Sequence, residues 1–355
     1  MISYFAMYFL LMMFALFYQE NQDVIRNSNG NKSQSLGGWI VIGFLFTVII
    51  GLRDNVGGDW YNYLMHFNAM SYYTLDEILS RGDPGYYVIN WLMFDWEYEI
   101  YSVNLICGAI FLVGLIILAR QQPNPWLAFL VAFPYVIVVV SMGYTRQAVA
   151  IGLVFWSIAA LRNKHFLRFL ILVALAATFH KSAVLMIGLG LFLQGKGKLI
   201  RFLAVAAIGF GIWSAFLADH QQALWKNYVE ANMQSQGAFI RVAMNFLPAL
   251  FFLIYRKRWK ETYKDYTFWL IIAIGSIASI FVVGLAPTAI DRVSLYFTPI
   301  QIVVFARLPF LLRNKLPLQT TTWAILLYYL LVLFVWLNFA THARYWVPYH
   351  NYLFS

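Results

Sequence analysis

The sequence predicts an all-α fold that crosses a membrane about twelve times, on three observations. Of 355 residues, 62% are hydrophobic and only 11% charged, against about 25% charged in soluble domains. A soluble fold of this length would need a polar shell that the composition does not supply. Apolar runs recur from end to end, which makes 1–355 a single membrane-embedded domain with no room for a soluble one. Basic residues gather on alternate loops, so the net charge of +10 reads as positive-inside bias and not as nucleic-acid binding.

Taken in order, hydrophobic runs between charged or turn-rich breaks place spans at 2–18, 37–52, 101–119, 126–141, 146–161 and 166–179. Six more follow at 182–193, 199–217, 239–255, 266–285, 293–310 and 321–340. The first run lacks a basic n-region and a small-residue cleavage site, so it is expected to be a retained helix. Several runs fall short of the roughly 20 residues a span needs, and their helices are expected to run past these bounds. The segment 84–96 is apolar and aromatic but too short to span. Counting it as a crossing would turn the basic loop 256–264 outward, so it is expected to be an interfacial or re-entrant helix on the outer face. Cys107 is the only cysteine and sits in an apolar run, leaving no disulfide and no Cys/His cluster.

With the N-terminus outside, 17 of the 25 basic residues fall on inside loops and only four of the 15 acidic ones. Both termini are therefore expected outside. The outer segments 53–100 and 218–240 and the tail 341–355 are longer and chemically mixed, as functional loops on a rigid scaffold are. Eight basic residues remain outside, against the bias: Arg53, Arg81, Arg146, Lys181, Lys226, Arg241, Arg292 and Arg344. Most lie at or near predicted helix ends. Singly, each is read most simply as snorkelling to headgroups. As a group they suit a phosphate gripped from outside, because guanidinium binds phosphate through paired N–H groups. Aromatic residues, 19% of the chain, suit interfacial belts and a sugar-stacking groove equally.

Five stretches add a resemblance: GLRDNVGGDWYNY at 51–63, YTRQAVAIG at 144–152, ATFHKSAVL at 177–185, DRVSLYF at 291–297 and VPYHNY at 347–352. In this order and spacing they resemble the EpsG family of bacterial Wzy-like polysaccharide polymerases, over nearly the whole chain. One departure is GGD at 57–59 where a form like GTD is expected; it loses a hydroxyl and keeps the aspartate. The resemblance implies an enzyme, a membrane-embedded glycosyltransferase similar to O-antigen polymerases, in the bacterial inner membrane. It implies polymerisation on the outer face, with glycan passing from undecaprenyl diphosphate to a sugar hydroxyl of an incoming repeat unit. The lipid-linked oligosaccharide, the bilayer and chain-length regulators or export proteins of exopolysaccharide synthesis are the implied partners.

Such a reaction needs charge stabilisation on the leaving pyrophosphate and a base for the hydroxyl. Arg146, Arg292 and Arg53 are the leading pyrophosphate candidates, with Arg241 and Arg344 behind them. Tyr296, four residues after Arg292, shares its helical face and is expected on phosphate or sugar. Five of six histidines fall outside: His66, His180, His220, His342 and His350. His180 is the first choice for the base, because neighbouring Lys181 favours its neutral form; the alternative is that it caps its helix. Asp59 is the rival base, with helix capping as its own alternative. Asp54 with Asp59, or Asp95, Glu97 and Glu99, are the only outer carboxylate groups placed to hold a metal. A solvated rim explains the second set more cheaply, so no metal or cofactor is expected. The competing functions are a flippase for the same lipid-linked glycan, a membrane acyltransferase modifying surface glycans, and a non-catalytic assembly partner. Span centres almost free of charge speak against the flippase.

Overall fold

A computed structural model describes residues 1–20, 36–192 and 237–354, with 202, 203, 206, 207 and 210 besides. Most of predicted span 199–217 and of outer segment 218–240, with His220 and Lys226, lies outside the described residues. Within them the fold is helical. In α1 (Ile2–Glu20) Tyr4, Tyr8, Leu11 and Ala15 are buried, and their spacing of three and four residues puts them on one face. Ile2, Phe9, Met13 and Phe17 on the other side stay exposed, as lipid-facing residues do. α2 (Leu36–Gly51) then leads into the first outer segment. That segment holds α3 (Trp60–Asn68), α4 (Leu75–Leu79, closed by a Thr74/Glu77 capping box) and α5 (Pro84–Asp95). The last is the short helix expected at 84–96, and it packs on its helical neighbours.

The centre is built by α6 (Ile100–Arg120), α7 (Pro125–Ala132) and α8 (Thr145–Arg162). Asn124 caps α7 by accepting from Leu127 N at 3.0 Å. Pro134 then removes an amide donor from the ladder, and the helix continues as nine residues of π-helix, Phe133–Ser141. Everything from 127 to 143 is buried. α6 and α8 cross where Gly114 meets the Gly152 backbone so closely that a Cβ would sit 1.8 Å from the Gly152 carbonyl oxygen. Small residues at such a crossing let backbones meet without a water-driven force. α9 (Phe166–Phe179) returns, and Lys181–Phe192 descends as a 3-10 helix, where the sequence suggested an ordinary span.

Beyond the undescribed stretch come α10 (Ala238–Ile254), α11 (Arg256–Thr262), α12 (Tyr266–Val282), α13 (Pro287–Ser294), α14 (Pro299–Leu312) and α15 (Leu318–Phe339). Three described helices are long and apolar enough to cross a membrane, five if two bent pairs count as spans, and four more are shorter and apolar. The pair α13–α14 is bent by 42°, so Arg292 lies within a separate short helix and does not begin the eleventh span.

Polar side chains meet at both ends of the bundle. At one end Arg146 pairs with Asp83 and Arg241 with Asp291; at the other, Arg162 and Arg307 share Asp265. In these four ion pairs among the described residues, each charge meets a member of the set that charge counting assigned to its own face. The two ends are called below the motif end and the basic end.

Candidate functional site

The motif end is assembled on Arg53, which is 1% exposed. Its Nε donates to Met142 O at 2.9 Å, Nη1 to Ile50 O at 2.5 Å and Nη2 to Thr145 Oγ1 at 2.8 Å. Ile50 and Met142 stand at the C-terminal ends of α2 and of the π-helical run. Two helix dipoles therefore present their negative ends to one guanidinium, which explains how a cation is buried here among neutral acceptors. Arg53 was expected on the pyrophosphate; its donors are instead spent on the protein. The Gly57–Gly58 turn follows. Gly57 has φ +112, and a Cβ there would lie 2.2 Å from Met142 O, whereas one on Gly58 would meet only the Trp346 ring at 3.9 Å. The threonine expected at that second position would fit. The tail motif closes this floor: Asn351 bridges to Arg53, Tyr352 N donates to Leu52 O, and Trp346 Nε1 donates to Val138 O.

On that floor four separate motifs converge. Arg146, at the start of α8, donates from Nη1 to Asp83 Oδ2 at 2.9 Å and lies 5.9 Å from the ring centres of both Tyr63 and Tyr86. Burial pushes the Asp83 carboxyl up to about 6, with Arg146 and Lys181 holding it from rising further. Asp59 precedes α3 without capping it through its side chain. Burial raises its pKa, opposed by Arg146, a hydrogen bond from Asn62, Arg292 and His66, which places the carboxylate in the field of both arginines.

His180 ends α9 in extended conformation. Ser182 Oγ donates to Tyr296 OH at 3.1 Å, and His180 Nδ1 lies 2.6 Å from the same Ser182 oxygen. The Ser182 hydroxyl thus links the His180 imidazole to the Tyr296 phenol. Burial, then Arg292, Arg146 and Lys181, push His180 down to about 3. Lys181 acts in the direction expected of it, but burial is the larger cause. Tyr296 is buried and within reach of Arg292.

Arg241 lies one layer out, in a two-pronged pair with Asp291 at 2.8 and 2.7 Å, and Tyr144 borders both this pair and the Asp59 and Arg292 charges. Arg344 is exposed on the tail, against Tyr345, and is not brought to the cluster. Asp54 accepts from Tyr101, while Asp95, Glu97 and Glu99 are exposed. Among the described residues no three His, Cys, Asp or Glu side chains converge as metal ligands. Sequence reasoning missed Asp83, Tyr63 and Ser182. A polar residue beside a singled-out basic one was the available signal for Ser182; for Asp83 there was only its place before Pro84.

A family model described as EpsG family matches residues 38–351 and so takes in every motif of the cluster. No curated protein and no solved structure matches the chain.

Proposed function

The chain belongs to the EpsG family, a Wzy-like polysaccharide polymerase family, and from that membership we propose that it joins lipid-linked oligosaccharide repeat units at the motif end. The observation that carries the reading is that Asp59 and His180, from two separate motifs, both lie in the field of Arg146 and Arg292, from two others. In this reading the motif end faces outward, and the substrate is an undecaprenyl-diphosphate-linked glycan.

Arg146 and Arg292 face the pyrophosphate and stabilise the charge that grows on its bridging oxygen as the sugar leaves. Asp83 is a positioning residue that fixes the Arg146 fork. His180 Nε2 takes the proton of the acceptor hydroxyl, that oxygen forms the new bond to the anomeric carbon, and the bond from that carbon to the diphosphate breaks. Products are the lengthened glycan on one lipid and undecaprenyl diphosphate, with the proton left on His180 to be passed to solvent. This step needs the tautomer with its proton on Nδ1, which donation to Ser182 Oγ would favour. A histidine pushed down to about 3 is a weak base, but two of the charges that depress it are the arginines. A bound pyrophosphate neutralises them and raises the base when substrate is present. Asp59 remains the rival base.

The test replaces Arg146, Arg292, His180 and Asp59 by alanine in turn, in cells and in a reconstituted system, and follows polymer length and lipid-linked intermediates. Unpolymerised units are expected to accumulate with Arg146→Ala and His180→Ala. Normal polymer from all four variants would end the reading.

A further inference from the structure

A cavity bordered by described residues lies at the basic end, away from the cluster above, with a volume of about 1080 Å³. Five cationic side chains line it: Arg162, Lys164, Lys260, Lys264 and Arg307, against one carboxylate, Asp265. That leaves a surplus of four positive charges around one space.

Its floor is built. Arg307 is fully buried on α14 and grips Asp265 with both Nη groups at 2.8 Å, while its Nε donates to Gln122 Oε1 at 2.9 Å. Arg162 reaches the same carboxylate at 3.5 Å and donates to Gln121 O at 2.9 Å. One aspartate thus compensates two arginines, and the floor keeps a net positive charge held by hydrogen bonds. Topological bias alone asks for cations on this face; it does not ask for a buried arginine, Arg307, tied to Asp265 beside a second arginine at the wall of a cavity.

A space of this size exceeds that of a lone inorganic ion and matches the upper range of small-molecule sites. Part of its wall is apolar, from Leu118, Ile158 and Leu161. We propose that the cavity is a second binding site, at the basic end, for a phosphate-bearing anion, held by Lys164, Lys260 and Lys264 over the Arg162–Asp265–Arg307 floor. Guanidinium and ammonium donors in this number suit the oxygens of phosphate, whether the phosphate belongs to an anionic phospholipid headgroup or to a soluble compound. The site does not depend on the function proposed for the motif end.

The test uses the purified, delipidated full chain in detergent. It is titrated with phosphatidylglycerol in mixed micelles and separately with inorganic pyrophosphate, and binding is read by native mass spectrometry and thermal shift. Saturable binding of at least one probe is expected, the first arm marking a lipid source and the second a soluble one. The triple variant K164Q/K260Q/K264Q, which leaves the floor intact, is expected to weaken it at least tenfold. Lys315→Gln, outside the cavity on the same face, and Arg146→Ala, at the motif end, are expected to leave this component unchanged. Absence of saturable binding by both probes, or equal loss with Lys315→Gln, overturns the proposal. Loss with Arg146→Ala alone assigns the binding to the motif end and also overturns it.

Discussion

Replacing Arg53 separates a ligand role from a scaffold role. Its three short bonds run to Met142 O, Ile50 O and Thr145 Oγ1, and hydrogen bonds to charged groups contribute about 1.5–3 kcal/mol each. Alanine removes all three, leaves two helix-end carbonyls facing a void, and also removes a buried charge whose desolvation opposed folding. Each buried acceptor left without its donor costs about 1–3 kcal/mol, and the three together are a large part of the roughly 5–15 kcal/mol that holds a domain together. Arg53→Ala is therefore expected to lower the thermal midpoint and the yield of detergent-purified protein severely. Arg53→Lys is expected to restore little, because one ammonium does not reach three acceptors set around a fork. The assay is thermal unfolding of the purified variants beside titration with a lipid-linked pyrophosphate. If Arg53→Ala unfolds like the parent and only pyrophosphate affinity falls, the two-helix capping account is refuted and the expectation from sequence stands.

Asp83→Asn keeps the shape but releases Arg146; polymerisation is expected to slow about ten- to hundredfold while thermal stability stays near the parent's, and unchanged kinetics would remove Asp83 from the site. With its carboxyl at about 6, above the ordinary range, the fold binds this proton more tightly than the unfolded chain does. Stability from this group is thus gained as pH falls from about 6 towards 4, while activity is lost over the same window as Arg146 is untethered; a kcat/KM limb near pH 6 that persists in Asp83→Asn sinks the assignment. His180 predicts that the acid limb of kcat lies at higher pH than that of kcat/KM, since bound pyrophosphate neutralises the arginines that depress it; coincident limbs count against it. Gly57→Ala is expected to destabilise by about 1–3 kcal/mol from its left-handed backbone and the Met142 contact, while Gly58→Thr is expected to be silent in the same unfolding assay.

Hydropathy made the helices legible because each span must satisfy its own backbone in lipid, so the pattern is local. It reached α1, α2, α6 and α15 within two or three residues. It did not reach the 3-10 run after His180, whose apolar content is the same in either helix type, nor the bend that detaches Arg292. The site was half legible. A cation opposing the topological bias can be seen in sequence, so Arg146 and Arg292 stood out. Whether its partner is a ligand or the protein depends on residues far along the chain. Arg53 meets Met142 89 positions away and Arg146 meets Asp83 63 positions away. Nothing periodic marks such pairs, and that is why Arg53 was assigned to a ligand and Asp83 overlooked.

The tail that closes the motif end has a consequence for biogenesis. Tyr4 OH donates to Trp346 O across 342 positions, and Gly57 N donates to Tyr345 O. The earliest helices therefore enter the membrane long before the residues that complete their hydrogen bonding have been synthesised. Until then the 51–63 loop lacks the tail's hydrogen bonds, and the cluster built on it is incomplete. The order of synthesis thus makes the motif end the last part of the fold to be completed.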